Sequence, residues 1–162
     1  MNSLITVVGI TSLLGSALVG GVFFAFSSFV MKALARVPAA EGIAVMQSIN
    51  VVVINRSFLG VFVGTALLSV GLVMLALVYR AHPATIFFLG GAVLYFAGTF
   101  LVTIFGNVPL NHQLAAITAT DADAVKLWLH YLDRWTMWNH VRVVAAISAT
   151  LMFTVGLTQD GG

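Results

Sequence analysis

Long runs without a charged side chain alternate with short charged stretches along this chain. Positions 1–31, 57–79, 81–120 and 143–159 contain no Asp, Glu, Lys or Arg. A helix needs about 20 apolar residues to cross the hydrocarbon core of a bilayer. The pattern predicts four spans, at 4–31, 58–79, 85–105 and 138–158. The last includes Asn139, His140 and Arg142 at its start. The expected fold class is all-α: a transmembrane four-helix bundle forming a single integral membrane domain over 1–162, with amphipathic helical segments in the two long connections. The first of these segments, 38–55, opens on Pro38 and places Glu41 where the helix dipole favours an acid. The second, 121–137, opens on Asp121 as an N-cap, with Asp123 in the first turn. A tight turn, Arg80-Ala81-His82-Pro83, joins spans two and three.

Composition narrows the class. The chain has 162 residues, 60% hydrophobic and 7% charged. A soluble domain is about a quarter charged, so a soluble globular protein and a disordered segment are excluded. The net charge of +2 rests on 7 Lys/Arg against 5 Asp/Glu. That is no basic patch, so no nucleic-acid partner is expected. With no cysteine, disulfides and thiolate chemistry are excluded. Ala33-Leu34-Ala35 has the look of a leader cleavage site, but no Lys or Arg precedes the apolar run, and the run exceeds the ~7–15 residues of a signal core. A retained first span is expected.

Charge also sets an expected orientation. The connections after spans one and three carry Lys32, Arg36 and Arg56, and Lys126 and Arg134. The short connection after span two carries only Arg80. The positive-inside rule puts the richer loops in the cytoplasm and both termini outside the plasma (inner) membrane. Small residues form stripes: Ser12, Ser16 and Gly20 in span one, Gly60 and Gly64 in span two, Gly91 and Gly98 in span three. Such stripes serve close helix packing within the bundle or a homo-oligomer interface.

By this topology the polar groups near the membrane collect at one face. Arg56 begins span two; Asn107, Asn111 and His112 follow span three; Trp135, Trp138, Asn139, His140 and Arg142 begin span four. At 100° per residue, Trp128, Tyr131, Trp135, Trp138, Asn139 and Arg142 share an arc of about 100°, and Ala146 and Phe153 extend it. An arginine inside a span faces the bundle interior, so this face points inward. Tyr95, Thr99, Thr103 and Asn107 form a facing stripe at four-residue steps. The expected pocket suits a flat aromatic molecule arriving from the lipid bilayer, with Asn and Arg donors on its oxygens. His140 falls about 120–160° from this face on a continuous helix, and only a break near Trp138 would turn it inward. Other readings stay open: an interfacial belt for the aromatic rings, a turn around Pro109 for Asn107 and Asn111, and snorkelling for Arg142 and Arg56.

At these residues the sequence resembles the small four-span membrane proteins that include the anthrone oxygenases. The resemblance rests on Gly21-Val22-Phe23-Phe24-Ala25-Phe26, Asn107-Val108-Pro109-Leu110-Asn111 and Trp135-Thr136-Met137-Trp138-Asn139-His140-Val141-Arg142. It covers essentially the whole chain. It implies oxidation of a hydrophobic aromatic, anthrone- or hydroquinone-like substrate by molecular oxygen. In that reading His140, or else His112, removes a proton. Arg142 and Arg56 stabilise the anion, Asn107, Asn111 and Asn139 orient its oxygens, and Trp135 and Trp138 hold the ring. Such a reaction can proceed without a cofactor, since the carbanion can itself donate an electron to oxygen. A His-bound metal or haem is the alternative, although no two histidines stand at i,i+4 and no metal ligands are assigned. A non-catalytic small-molecule binder or scaffold is the competing function.

Overall fold

The structure, a computed structural model, describes residues 3–78 and 82–160. Among the described residues five helices make up the fold: α1 (Ser3–Leu34), α2 (Ala39–Val52), α3 (Arg56–Val78), α4 (Thr85–Ala115) and α5 (Ala124–Asp160). Among the described residues there is no strand. All but α2 are long and apolar enough to cross a membrane. The chain is an all-α bundle with the composition of an integral membrane protein. Tyr79 at the end of span two, and Arg80 and Ala81 of the expected turn, lie outside the described residues.

Three of the four spans run further than their apolar cores require. Between Ala124 and Asp160 there is no proline, and Gly156 is the only glycine. Nothing interrupts the helix, so the segment expected at 121–137 and span four fuse into α5. Its 37 residues rise about 55 Å, well beyond the ~30 Å hydrocarbon core. No break occurs near Trp138. Span three likewise continues through Pro109 instead of turning there. Pro109 cannot donate to the Phe105 carbonyl, and a widened i→i+5 turn over Thr103–Asn107 absorbs the defect. The first connection does hold a separate helix, with Pro38 at its start and Glu41 in its first turn. Asp121 does not cap forward. Its carboxylate turns back to the Thr118 hydroxyl (2.7 Å) and N–H (2.8 Å). Those two donors, the hydroxyl first, hold it below the ordinary carboxylate pKa.

Helix α5 is the axis of the bundle. It packs against α1 and α4, and α3 closes the ring between those two. The small-residue stripes explain the approach. A Cβ at Gly20 would stand 3.2 Å from Ala146 of α5, one at Gly98 2.5 Å from Ala145, and one at Gly91 2.6 Å from the Phe153 ring. Thr150 Oγ1 also donates to Ser16 Oγ across the α1–α5 contact, at 3.2 Å. The stripe of α3 behaves otherwise: a Cβ at Gly60 or Gly64 meets nothing within 4 Å.

The buried residues form two layers. One lies within the spans, around Phe23, Phe62, Leu72, Phe88, Tyr95 and Phe153. The other joins α2 to the extended ends of α1, α4 and α5, through Met31, Ile43, Met46, Leu114, Trp128, Tyr131 and Trp135. These rings are core and not an interfacial belt: Trp128, Tyr131 and Trp135 are all buried. Gln47 of α2 donates to the carbonyls of Leu114 (2.8 Å) and Ile117 (3.0 Å), satisfying acceptors that the end of α4 leaves open. In detergent, Gly91→Val and Gly98→Val should each lose about 1–3 kcal/mol through overpacking, read as a lower thermal midpoint. Gly64→Val, facing open space, should leave the midpoint unchanged.

Candidate functional site

The site is built around Arg142, two turns beyond Trp135 on α5 and only 3% exposed. Nη2 donates to Asn139 Oδ1 at 2.7 Å and Nη1 to Thr103 Oγ1 at 3.2 Å. Nε has no partner. The guanidinium carbon stands 3.9 Å from the centroid of the Phe23 ring and 5.0 Å from that of Trp135. Its partners are therefore neutral groups and aromatic faces, with no carboxylate among them. Such faces attract a cation, but more weakly than an anion would.

Three asparagines hold this centre in place. Asn139, one turn before Arg142, is fully buried and donates from Nδ2 to the Phe23 carbonyl and to Ser27 Oγ, both at 2.7 Å. Its Oδ1 is thereby turned to Arg142. Asn107 donates to the Trp135 carbonyl at 3.1 Å, while its buried Oδ1 has no partner among the described residues. Asn111 Oδ1 accepts from the Tyr131 hydroxyl and from Trp135 Nε1, each at 2.9 Å. The helices facing Arg142 are wound i→i+5 nearby: Phe26–Val30 in α1, and Leu94–Leu101 and Thr103–Asn107 in α4. Such widened turns are rare and gather at functional sites. Here they deliver Thr103 and Asn107 to α5.

Arg142 opens onto a cavity of about 280 Å³, at the small end of ligand pockets, which run roughly 300–1,000 Å³. The rings of Phe23, Phe26, Phe58, Phe62 and Trp135 form its walls, and Met46, Ile49 and Asn50 of α2 close one side. Phe58 and Phe62 stack at 5.8 Å, and Phe26 lies 5.5 Å from Trp135. The polar groups lining it are Asn50, Thr103, Asn111 and Arg142; among the described residues no His, Asp, Glu or Lys does so.

The expected residues divide into two groups. Arg142, Asn111 and Trp135 line the cavity, with Asn139 and Asn107 hydrogen-bonded directly behind. His140, His112 and Arg56 do not join them; all three are exposed. His140 points instead into an open groove of about 560 Å³ between α1 and α5, beside Lys32 and Asp133. That is the side its helical phase gives on an unbroken α5. Trp138 is half-buried, with its ring against Gly106. Among the described residues, no three His, Cys, Asp or Glu side chains gather as a metal site would need. Asn50, Phe58 and Phe62 were not expected. Asn50 carried a signal, because it shares a helical face with Met46, Ile49 and Val53 in an amphipathic segment.

A family model described as Anthrone oxygenase matches residues 51–152. The chain belongs to the anthrone oxygenase family. The matched stretch contains Thr103, Asn107, Asn111, Trp135, Asn139 and Arg142, whereas Phe23, Ser27 and α2 up to Asn50 lie outside it. No curated protein and no solved structure matches the chain. In this family member, Asn139→Leu should strip an acceptor from Arg142 and a donor from the Phe23 carbonyl while keeping side-chain volume. A loss of about 1–3 kcal/mol is expected, seen as a lower thermal midpoint in detergent. An unchanged midpoint would show that the Asn139 bonds do not hold the site together.

Proposed function

We propose that the protein is a membrane-embedded oxygenase that oxidises a hydrophobic aromatic substrate, anthrone- or hydroquinone-like, with molecular oxygen. One observation carries the reading: a buried guanidinium without a counter-charge faces a cavity walled by aromatic rings. Keeping a cation in such surroundings is costly. An anionic ligand would offset that cost, and Arg142 would in turn favour the ionised form of a phenol or of an acidic C–H. Ring stacking holds a flat substrate, and Thr103 and Asn111 supply polar contacts at its edge.

The chemistry balances without a base inside the cavity. For an anthrone-like substrate the CH2 gives up a proton to water, the carbanion gives electrons to oxygen, and the resulting peroxide anion takes a proton back to form a hydroperoxide. Loss of water then leaves a ketone, so that CH2 and O2 become C=O and H2O. The work assigned to the protein is stabilisation of the anion. His140 and His112, outside the cavity, make no contact with substrate in this mechanism. The protein sits in the plasma membrane with both termini non-cytoplasmic, following its loop charges. Exposed apolar side chains at Val22, Ile54, Leu59 and Ile104 border the cavity, which suits arrival of substrate from the bilayer.

The lack of a titratable base among the lining residues also favours a second reading, a non-catalytic binder of aromatic anions. Oxygen uptake by the purified protein with anthrone or a hydroquinone separates the two. Arg142→Met should lower uptake by about 10²-fold or more, as loss of an anion-stabilising donor does, and His140→Ala should leave it unchanged. Binding of anthrone without uptake above the spontaneous rate would point to the binder. Neither binding nor uptake would sink both readings.

A further inference from the structure

The cavity has a second polar contact besides Arg142, and it is fixed by chemistry as well as by packing. An indole N–H can only donate. Trp135 Nε1 at 2.9 Å therefore defines its partner on Asn111 as the carbonyl oxygen. The Tyr131 hydroxyl, also at 2.9 Å, donates to the same oxygen. Both lone pairs of Asn111 Oδ1 are thus engaged, and its Nδ2 has no partner among the described residues. The Tyr131 oxygen in turn accepts from Asn50 Nδ2 in a long bond of 3.5 Å, which leaves Asn50 Oδ1 without a partner among the described residues. Asn111 and Asn50 are half-buried, and both line the cavity. Satisfying the buried Tyr131 and Trp135 requires only one acceptor. It does not require two amides whose remaining groups, an N–H donor and a C=O acceptor, stay free beside a cavity.

Resting on the reading of this cavity as the substrate site, we propose that Asn111 and Asn50 bind a second oxygen function of the substrate, distinct from the one that meets Arg142. The Arg142 guanidinium carbon stands 5.0 Å from the centroid of the Trp135 ring, and Asn111 Oδ1 meets the Nε1 of the same ring at 2.9 Å, so the two contacts share the Trp135 indole. The ring between the two contacts lies against Trp135 and the phenylalanines. The site thereby selects flat aromatic molecules that carry two separate oxygen functions over those that carry one. Tyr131 acts as a positioning residue: it touches the Asn111 and Asn50 amides and sets the direction in which they point.

The test compares naphthalene-2,6-diol with 6-methyl-2-naphthol, which replaces the distal hydroxyl by a methyl group of similar size. Binding to the purified full-length protein in detergent is measured by equilibrium dialysis against a detergent blank. The diol should bind about tenfold more tightly, the gain of roughly one well-made hydrogen bond to a site otherwise left unpaired. Asn111→Leu should bring the ratio to about one, and Tyr131→Phe, which keeps the ring, should reduce it to an intermediate value. Arg142→Met should weaken both ligands and leave their ratio intact. Equal binding of the two ligands by the wild-type protein, or an undiminished ratio in Asn111→Leu, overturns the inference. Should Asn111→Leu fail to fold, the wild-type ratio and the Tyr131→Phe ratio decide it. A preserved preference for the diol with no weakening in Arg142→Met would overturn the anion site but keep the distal contact. Failure of the wild-type protein to bind either naphthol removes both.

Discussion

Arg142 brings a positive charge into the buried centre of the bundle, where no carboxylate meets it among the described residues. An uncompensated cation in such surroundings costs several kcal/mol, and much of the neighbouring structure reduces that cost. Asn139 turns its oxygen toward the guanidinium because its amide nitrogen is tied to the backbone of α1 at Phe23. Thr103 reaches it from a widened turn of α4. The faces of Phe23 and Trp135 cover it. Three helices are thereby drawn to one point, and the remaining valence of the group faces a cavity.

That cavity exists because the bundle is taller than the bilayer core. If α1, α4 and α5 ended with their apolar runs, Trp128, Tyr131 and Trp135 would lie at the membrane surface. They continue instead, and α2 folds across their ends to form a second core. The cavity lies at the seam between the two layers, with the span phenylalanines below and the side chains of α2 above. The two polar contacts follow from this arrangement. Arg142 belongs to the lower layer, and the Asn50–Tyr131–Asn111–Trp135 chain of hydrogen bonds belongs to the upper.

Much of this was legible in the chain, and the misses have physical causes. The inward face of α5 follows from helical phase alone, and the buried Tyr131, Trp135, Asn139 and Arg142 all lie on it. The same phase set His140 aside, and an unbroken α5 keeps it in an outer groove. Asn107-x-Pro-x-Asn111 read equally as a turn or as a site. A proline signals an interruption of hydrogen bonding but not whether a wider helical turn will absorb it. The stripes of α1, α3 and α4 looked alike in sequence. Only those of α1 and α4 meet α5, because small residues permit close approach without specifying the neighbour.

Sequence by itself determined the fold class, the four spans and the inward direction of Arg142. Each follows from local physics: the hydrocarbon thickness fixes span length, helical periodicity fixes which side chains share a face, and the cost of a charge in lipid fixes where an arginine must point. Tertiary structure alone decided which side chains surround that arginine. The closure of the cavity by α2, the recruitment of Asn50, Phe58 and Phe62, and the absence of histidine from the lining all depend on how separate helices rotate and slide against one another. Those degrees of freedom are settled by packing and by hydrogen bonds between residues as far apart as Phe23 and Asn139, and no local pattern encodes them.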